Sequence, residues 1–335
     1  MTNSPPSSAP LDPALASIGQ RWRDAQIPDI YEGCLAPHGG PVSRERARNV
    51  RGFFYPKPDL PKGIIEKRTV DGKAYGIDCN IPVQIVWPHA SHSPEGPLNT
   101  LVYFHGGGFV VGDLDSHEAH AVRLANETDC VVVNVDYRLA PEHRFPAAYD
   151  DCLAITRWAY QHIDVLGRQS RRFAIGGDSA GGNLTMVTTM ALRDRPAAVP
   201  VLLQHPIYPV VTLDADWPSM REFSKGYLLT EEAMAYFGEG HAATPGDYRS
   251  EPLNFSQQGM PPSLVTTASL DPLRDQGIAY VEKLKQDGVR VEHRSAEGNI
   301  HGHINIRQGI PSAQSDIEGN IAALKTLLAE VTATV

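Results

Sequence analysis

Short runs of Val, Ile and Leu that do not alternate with polar residues leave this chain few architectures. Such a run cannot lie on a sheet with one wet face. It reads as a strand covered on both sides, as in a parallel sheet flanked by helices. Strand signals fall at 64–70, 80–86, 100–104, 130–135, 172–175, 201–208, 263–268 and 289–294. Helical periodicity follows several of them, at 147–163, 180–193 and 316–331. The last of these puts Ile317, Ile321, Leu324, Leu328 and Val331 on one face. Strand–helix alternation of this kind predicts a doubly wound α/β fold. Eight strands are expected, mostly parallel, with two early antiparallel ones.

One stretch breaks the rhythm. From 212 to 251 there is no strand signal, only an irregular run carrying Trp217, Phe223, Tyr227, Tyr236 and Phe237. A long insertion between core strands is uncommon unless it works, so this one is expected to form a lid. Residues 11–55 read as helical pieces broken by Pro and Gly, with Leu15, Ile18, Trp22, Ile27 and Ile30 needing a surface to cover. The expected division is therefore 1–55 and 212–251 for a helical cap, and 56–211 with 252–335 for the core.

Composition excludes more than it selects. A net charge of −9 over 335 residues offers no basic face, so a nucleic-acid partner is not expected. The apolar runs are too short for a membrane span of ~20 residues. The start, Met1-Thr2-Asn3-Ser4-Pro5-Pro6, lacks the basic flank and apolar stretch of a secretory signal. Cys34, Cys79, Cys130 and Cys152 are scattered, without a C-x-x-C pair, and read as free thiols. A cytoplasmic location fits these features.

The chemistry lies in two glycine-rich motifs. Gly177-Asp178-Ser179-Ala180-Gly181 matches G-x-S-x-G between the strand Phe173-Ala174-Ile175 and a helical run. That context is the strand–turn–helix of a nucleophile elbow. The helix N-terminus also brings its positive dipole end to a developing anion. His105-Gly106-Gly107-Gly108 follows the strand Leu101-Val102-Tyr103-Phe104. Successive glycines let backbone N–H groups face a site unobstructed, as an oxyanion hole requires. Gly106 and Gly107 are expected to donate there, with Ala180 as a third donor. A phosphate loop is a poorer reading, because no Lys-Ser/Thr follows.

A serine nucleophile needs a base and an acid, in the order Ser, acid, His. His301 sits in Gly298-Asn299-Ile300-His301-Gly302, just past the last strand, and is the expected base. Asp271 follows the strand Leu264-Val265-Thr266-Thr267, with Pro272 fixing the turn, and is the expected acid. Asp275 is the alternative acid, read as an exposed carboxylate at a helix start. His293 alternates within a strand and is given a structural role. His117 and His120 are three apart, where a zincin helix needs four, so they are assigned to a helix surface rather than a metal.

These residues resemble the hormone-sensitive-lipase family of α/β-hydrolases, in its bacterial carboxylesterase branch. The resemblance spans about 60–310 and extends to Tyr137-Arg138-Leu139-Ala140-Pro141-Glu142 and Asp271-Pro272-Leu273-Arg274-Asp275. Gly177-Asp178-Ser179-Ala180-Gly181 is similar to the motif of the Asp-bearing subgroup. The family implies a Ser179, Asp271, His301 triad, a cap over the site, short acyl esters as substrates and no cofactor or metal. It leaves a homodimer open. One departure is His303, where the family carries Phe; it is expected to line the pocket. Amide, lactone or N-acyl hydrolysis on the same triad is the alternative activity, and a non-catalytic ligand receptor the alternative class.

Overall fold

Eight strands form one sheet in the order β1-β2-β4-β3-β5-β6-β7-β8. The computed structural model describes residues 63–89, 98–162, 166, 172–195, 201–306 and 311–333. The strands are β1 (Ile65–Asp71), β2 (Asn80–Val86), β3 (Asn99–Phe104), β4 (Cys130–Val135), β5 (Phe173–Asp178), β6 (Val201–Ile207), β7 (Ser263–Leu270) and β8 (Val291–Ile300). β2 runs antiparallel to both β1 and β4, and every later pairing is parallel. The doubly wound α/β expectation is met. The segment 1–55, expected as part of a cap, lies outside the described residues.

The unalternating strands are buried on both faces because helices cover both. In β3, Val102 and Phe104 enter one apolar cluster while Leu101 and Tyr103 enter the opposite one. On the first side lie α2 (Ala147–Gln161) and α3 (Ala180–Asp194). On the second lie α1 (Leu114–Thr128) and α8 (Pro311–Ala333), whose Ile317, Ile321, Leu324, Leu328 and Val331 meet the sheet together. At the far end, α6 (Arg274–Gln286) closes over β7 through Tyr280, Val281 and Leu284.

Three strands run two or more residues past the ends of their sequence signals, and all three extensions reach the site; β7 continues to Leu270, directly before Asp271. β5 continues through Gly176 and Gly177, residues that weaken a strand and hide its end. β8 continues to Ile300, directly before His301. Cys130 and Cys152 are buried free thiols, and burial raises Cys130 to about 11.

The helix-surface reading of His117 and His120 is overturned. Both are buried, 1% and 2% exposed, on the side of α1 that faces the sheet. Their spacing marks an inward face, because α1 is held between the sheet and α8. Arg123 of α1 bonds Glu318 of α8 at 3.2 Å.

Candidate active site

The elbow is built by register. β3 and β5 are parallel neighbours with Phe104 opposite Gly177, so the ends of both strands and the start of α3 crowd together. A side chain at Gly177 or Gly181 would strike backbone there, which is why glycine stands at both. Between them Ser179 holds φ 56° and ψ −116°, a conformation L residues rarely adopt. The strain is held by the Ser179 N–H donating to Ile207 O at 2.9 Å, and by α3, whose Asn183 N–H donates to Ser179 O.

The three residues named from the sequence come together. His301 follows β8, and Gly302 after it takes φ 76°, the left-handed turn that swings the imidazole over the elbow. His301 Nε2 lies 2.8 Å from Ser179 Oγ, and its Nδ1 lies 2.7 Å from Asp271 Oδ2. An ionised carboxylate only accepts, so Nδ1 carries the proton and Nε2 is left to accept from the serine hydroxyl. Asp271 is fully buried, and its Oδ1 accepts the Leu273 N–H at 2.8 Å. That bond, across the turn at Pro272, fixes the carboxylate plane.

Asp275 is not the exposed carboxylate expected of it. It accepts the Ser219 N–H at 2.8 Å, while Ser219 Oγ donates to Pro272 O at 2.8 Å. These bonds dock α4 (Pro218–Phe223) on the loop that carries Asp271. Arg274 lies over the Phe223 ring at 5.0 Å and reinforces the same joint.

Gly106 is a correction. Its N–H donates to Asp178 Oδ1 at 3.0 Å and so is spent within the protein. The cause is again register: directly past β3, the chain still runs beside the end of β5. Gly107 and Gly108 have no N–H partner among the described residues, and Gly108 lines the cavity next to Ser179. Ala180 opens α3, where a helix leaves its N–H unpaired. The amides left without a partner here among the described residues are therefore those of Gly107, Gly108 and Ala180.

Asp178, passed over in the sequence, organises the wall behind this loop. Besides Gly106 it accepts Tyr103 OH at 2.9 Å and Tyr208 OH at 3.4 Å, and it faces His117 Nε2 at 3.3 Å. Burial alone would raise its carboxyl, but His117 and then His120 and Tyr103 bring it down to about 2. Tyr137 OH donates to His105 O at 2.7 Å and holds the loop from the other side.

A cavity of about 670 Å³ opens over Ser179 and His301. Its apolar wall includes Phe109, Val210, Leu229, Met234, Phe237 and Leu273. Three of these come from residues 212–251, which carry α4 and α5 (Glu231–His241). Of the five aromatic residues noted there, only Phe237 reaches the cavity. His303 does not line it, contrary to expectation. It opens the short helix α7 (His303–Ile306), with Nδ1 3.1 Å from Ile300 O and its ring 5.3 Å from Tyr208. Tyr208 in turn lies 4.6 Å from the His301 ring, so Tyr208 stands between the His303 and His301 rings.

The alpha/beta hydrolase fold family matches residues 101–305, from β3 through the His301 loop. The chain belongs to that family. Esterase LipI of Mycobacterium tuberculosis is 37% identical, covering 81% of this chain and 86% of its own. An ethyl acetate hydrolase of Pseudomonas putida is 38% identical, covering 76% of this chain and 85% of its own. Among solved structures, an alpha/beta hydrolase from the metagenome of Lake Arreo, Spain, superposes with a TM-score of 0.84 at 29% identity, over 96% of this chain and 99% of its own. This alpha/beta hydrolase is a carboxylic ester hydrolase. No helix of its described residues is long and apolar enough to cross a membrane.

Proposed function

We propose that Ser179, His301 and Asp271 form the catalytic triad of this ester hydrolase, acting through an acyl-enzyme on short-to-medium acyl esters. The observation that carries this reading is the unbroken chain from Asp271 Oδ2 through His301 to Ser179 Oγ, at 2.7 and 2.8 Å. His301 Nε2 takes the Ser179 proton as Oγ attacks the acyl carbon. The oxygen of the tetrahedral intermediate is held by the N–H groups of Gly107, Gly108 and Ala180. His301 passes the proton to the leaving alcohol, then deprotonates the water that releases the acid. Asp271 keeps the imidazole oriented and stabilises its charged form.

Residues 212–251 act in this reading as the described part of a cap that bounds acyl length. Asp178, directly before Ser179, supports the Asp-bearing subgroup of the family. Short acyl preference is supported by the bounded cavity and by the likeness to the ethyl acetate hydrolase. The test is a series of p-nitrophenyl esters from acetyl to dodecanoyl, with Ser179→Ala alongside. Turnover best between acetyl and hexanoyl, falling ~10⁴-fold or more in Ser179→Ala, is the expected result. A few per cent of activity surviving in that variant overturns the triad. Activation on a triglyceride emulsion overturns the substrate range.

A further inference from the structure

We propose that the cavity over Ser179 is made for an ester carrying a second, hydrogen-bond-accepting oxygen in its chain, received by Gln276 and Ser224. The proposal rests on the esterase reading above and narrows its substrate class.

Gln276, in the first turn of α6, lines the cavity yet is only 1% exposed. Its Oε1 accepts the Val211 N–H at 2.9 Å. That bond settles the amide orientation, since an N–H can only point at the oxygen. The other end, Nε2, carries two N–H donors and has no partner among the described residues. Ser224, at the end of α4, also lines the cavity and is 8% exposed. Its hydroxyl likewise has no partner among the described residues. Two donors are thus held in a wall that is otherwise largely apolar.

Water satisfies such donors while the cavity is unoccupied by substrate. An alkyl chain expels that water and returns nothing, leaving both donors unpaired. A chain of the same shape with an ether or carbonyl oxygen at that level restores the bond. A buried polar group therefore rejects the purely apolar analogue more strongly than an apolar wall rejects a polar one. The Ser224 hydroxyl comes from the cap segment and the Gln276 amide from the core. An oxygen bound by both would read the substrate across the two parts.

Isosteric ester pairs test this in the full-length protein. On the acyl side the pair is p-nitrophenyl hexanoate and 4-methoxybutanoate, and on the alcohol side butyl acetate and 2-methoxyethyl acetate. Each rate is divided by the alkaline hydrolysis rate of the same ester, which removes the activating effect of the added oxygen. In at least one pair the ether is expected to be favoured about tenfold or more in kcat/KM. Gln276→Glu keeps an oxygen facing Val211 and exchanges the donor for an acceptor, so the preference is expected to vanish or reverse. Ser224→Ala is expected to reduce it severalfold. Ratios near one in both pairs overturn the proposal, as does a preference that both variants leave intact. Failure to turn over any of the four esters, with Ser179 also inert to a fluorophosphonate, overturns the esterase reading itself.

Discussion

The Asp178 carboxylate holds the Gly106 amide at 3.0 Å, tying the residue beside Ser179 to the glycine loop after β3. In the proposed triad, the Ser179 turn and the glycine loop are therefore held together by one buried carboxylate. Asp178→Asn keeps the shape but turns one acceptor oxygen into a donor, toward partners that are themselves donors. With the loop loosened, kcat is expected to fall about 10²-fold, the cost of one misplaced oxyanion donor. KM is expected to move much less, because the cavity walls are untouched. Steady-state kinetics on one short ester checks this, and an unchanged kcat in a folded variant refutes it.

His301→Ala and His303→Phe separate two neighbouring imidazoles. The first removes the contact at 2.8 Å to Ser179 and is expected to lower turnover by ~10⁴ or more. The second alters a side chain whose bond is to Ile300 O, away from the cavity. It is expected to keep turnover within about tenfold, a barrier change of ~1.4 kcal/mol. A dead His303→Phe beside an active His301→Ala inverts the assignment.

Burial pushes the imidazoles of His205, His241 and His303 down to about 4. An unfolded chain titrates histidine near 6.5, so between about pH 6.5 and 4 it binds more protons than the folded one. Stability contributed by these neutral rings is present above pH 6.5 and lost as pH falls through that window. The thermal midpoint is expected to drop steadily across it. His303→Phe removes about one proton from the slope, up to ~1.4 kcal/mol per pH unit. An equal slope in wild type and variant excludes His303 as a contributor.

Ser219→Ala leaves the Pro272 carbonyl without its donor in a fully buried position. The expected cost is about 1–3 kcal/mol of stability. Pro272 follows Asp271, so kcat is expected to fall several-fold while the fold persists. Calorimetry and kinetics on the same preparation report both effects. A loss of stability with full kcat separates the joint from the acid.

Ser179, Asp271 and His301 were legible because each stands just past an apolar strand, in a turn marked by Gly or Pro. Strand ends and turns are local signals. Gly106 was misread because its use depends on Asp178, 72 positions away, and on which strands are neighbours. Sequence offered three equivalent glycines, and only the β3–β5 register distinguishes them. The burial of His117 and His120 was hidden for a similar reason. A helix lying between a sheet and another helix has a polar inward patch only when something inside answers it. Here that answer is Asp178, and the residue between Gly177 and Ser179 carries no local mark of it. The reach of His303 failed on rotation: one φ-positive residue, Gly302, turns His301 toward the cavity and His303 away from it.

The segment over the cavity is joined to the core unevenly. On the α4 side the joint is a set of directional bonds around Ser219, Asp275 and Pro272. On the α5 side it is mostly apolar contact, with Phe237 and Ala233 against Val110 and Leu273, joined by one backbone bond from Phe145 N–H to His241 O at 3.0 Å. Directional bonds resist sliding, whereas dispersion contacts hold at many offsets. Because Ser219 ties α4 to the Pro272 carbonyl, a displacement of α4 would carry the Asp271 turn with it and stretch the contact between Asp271 and His301.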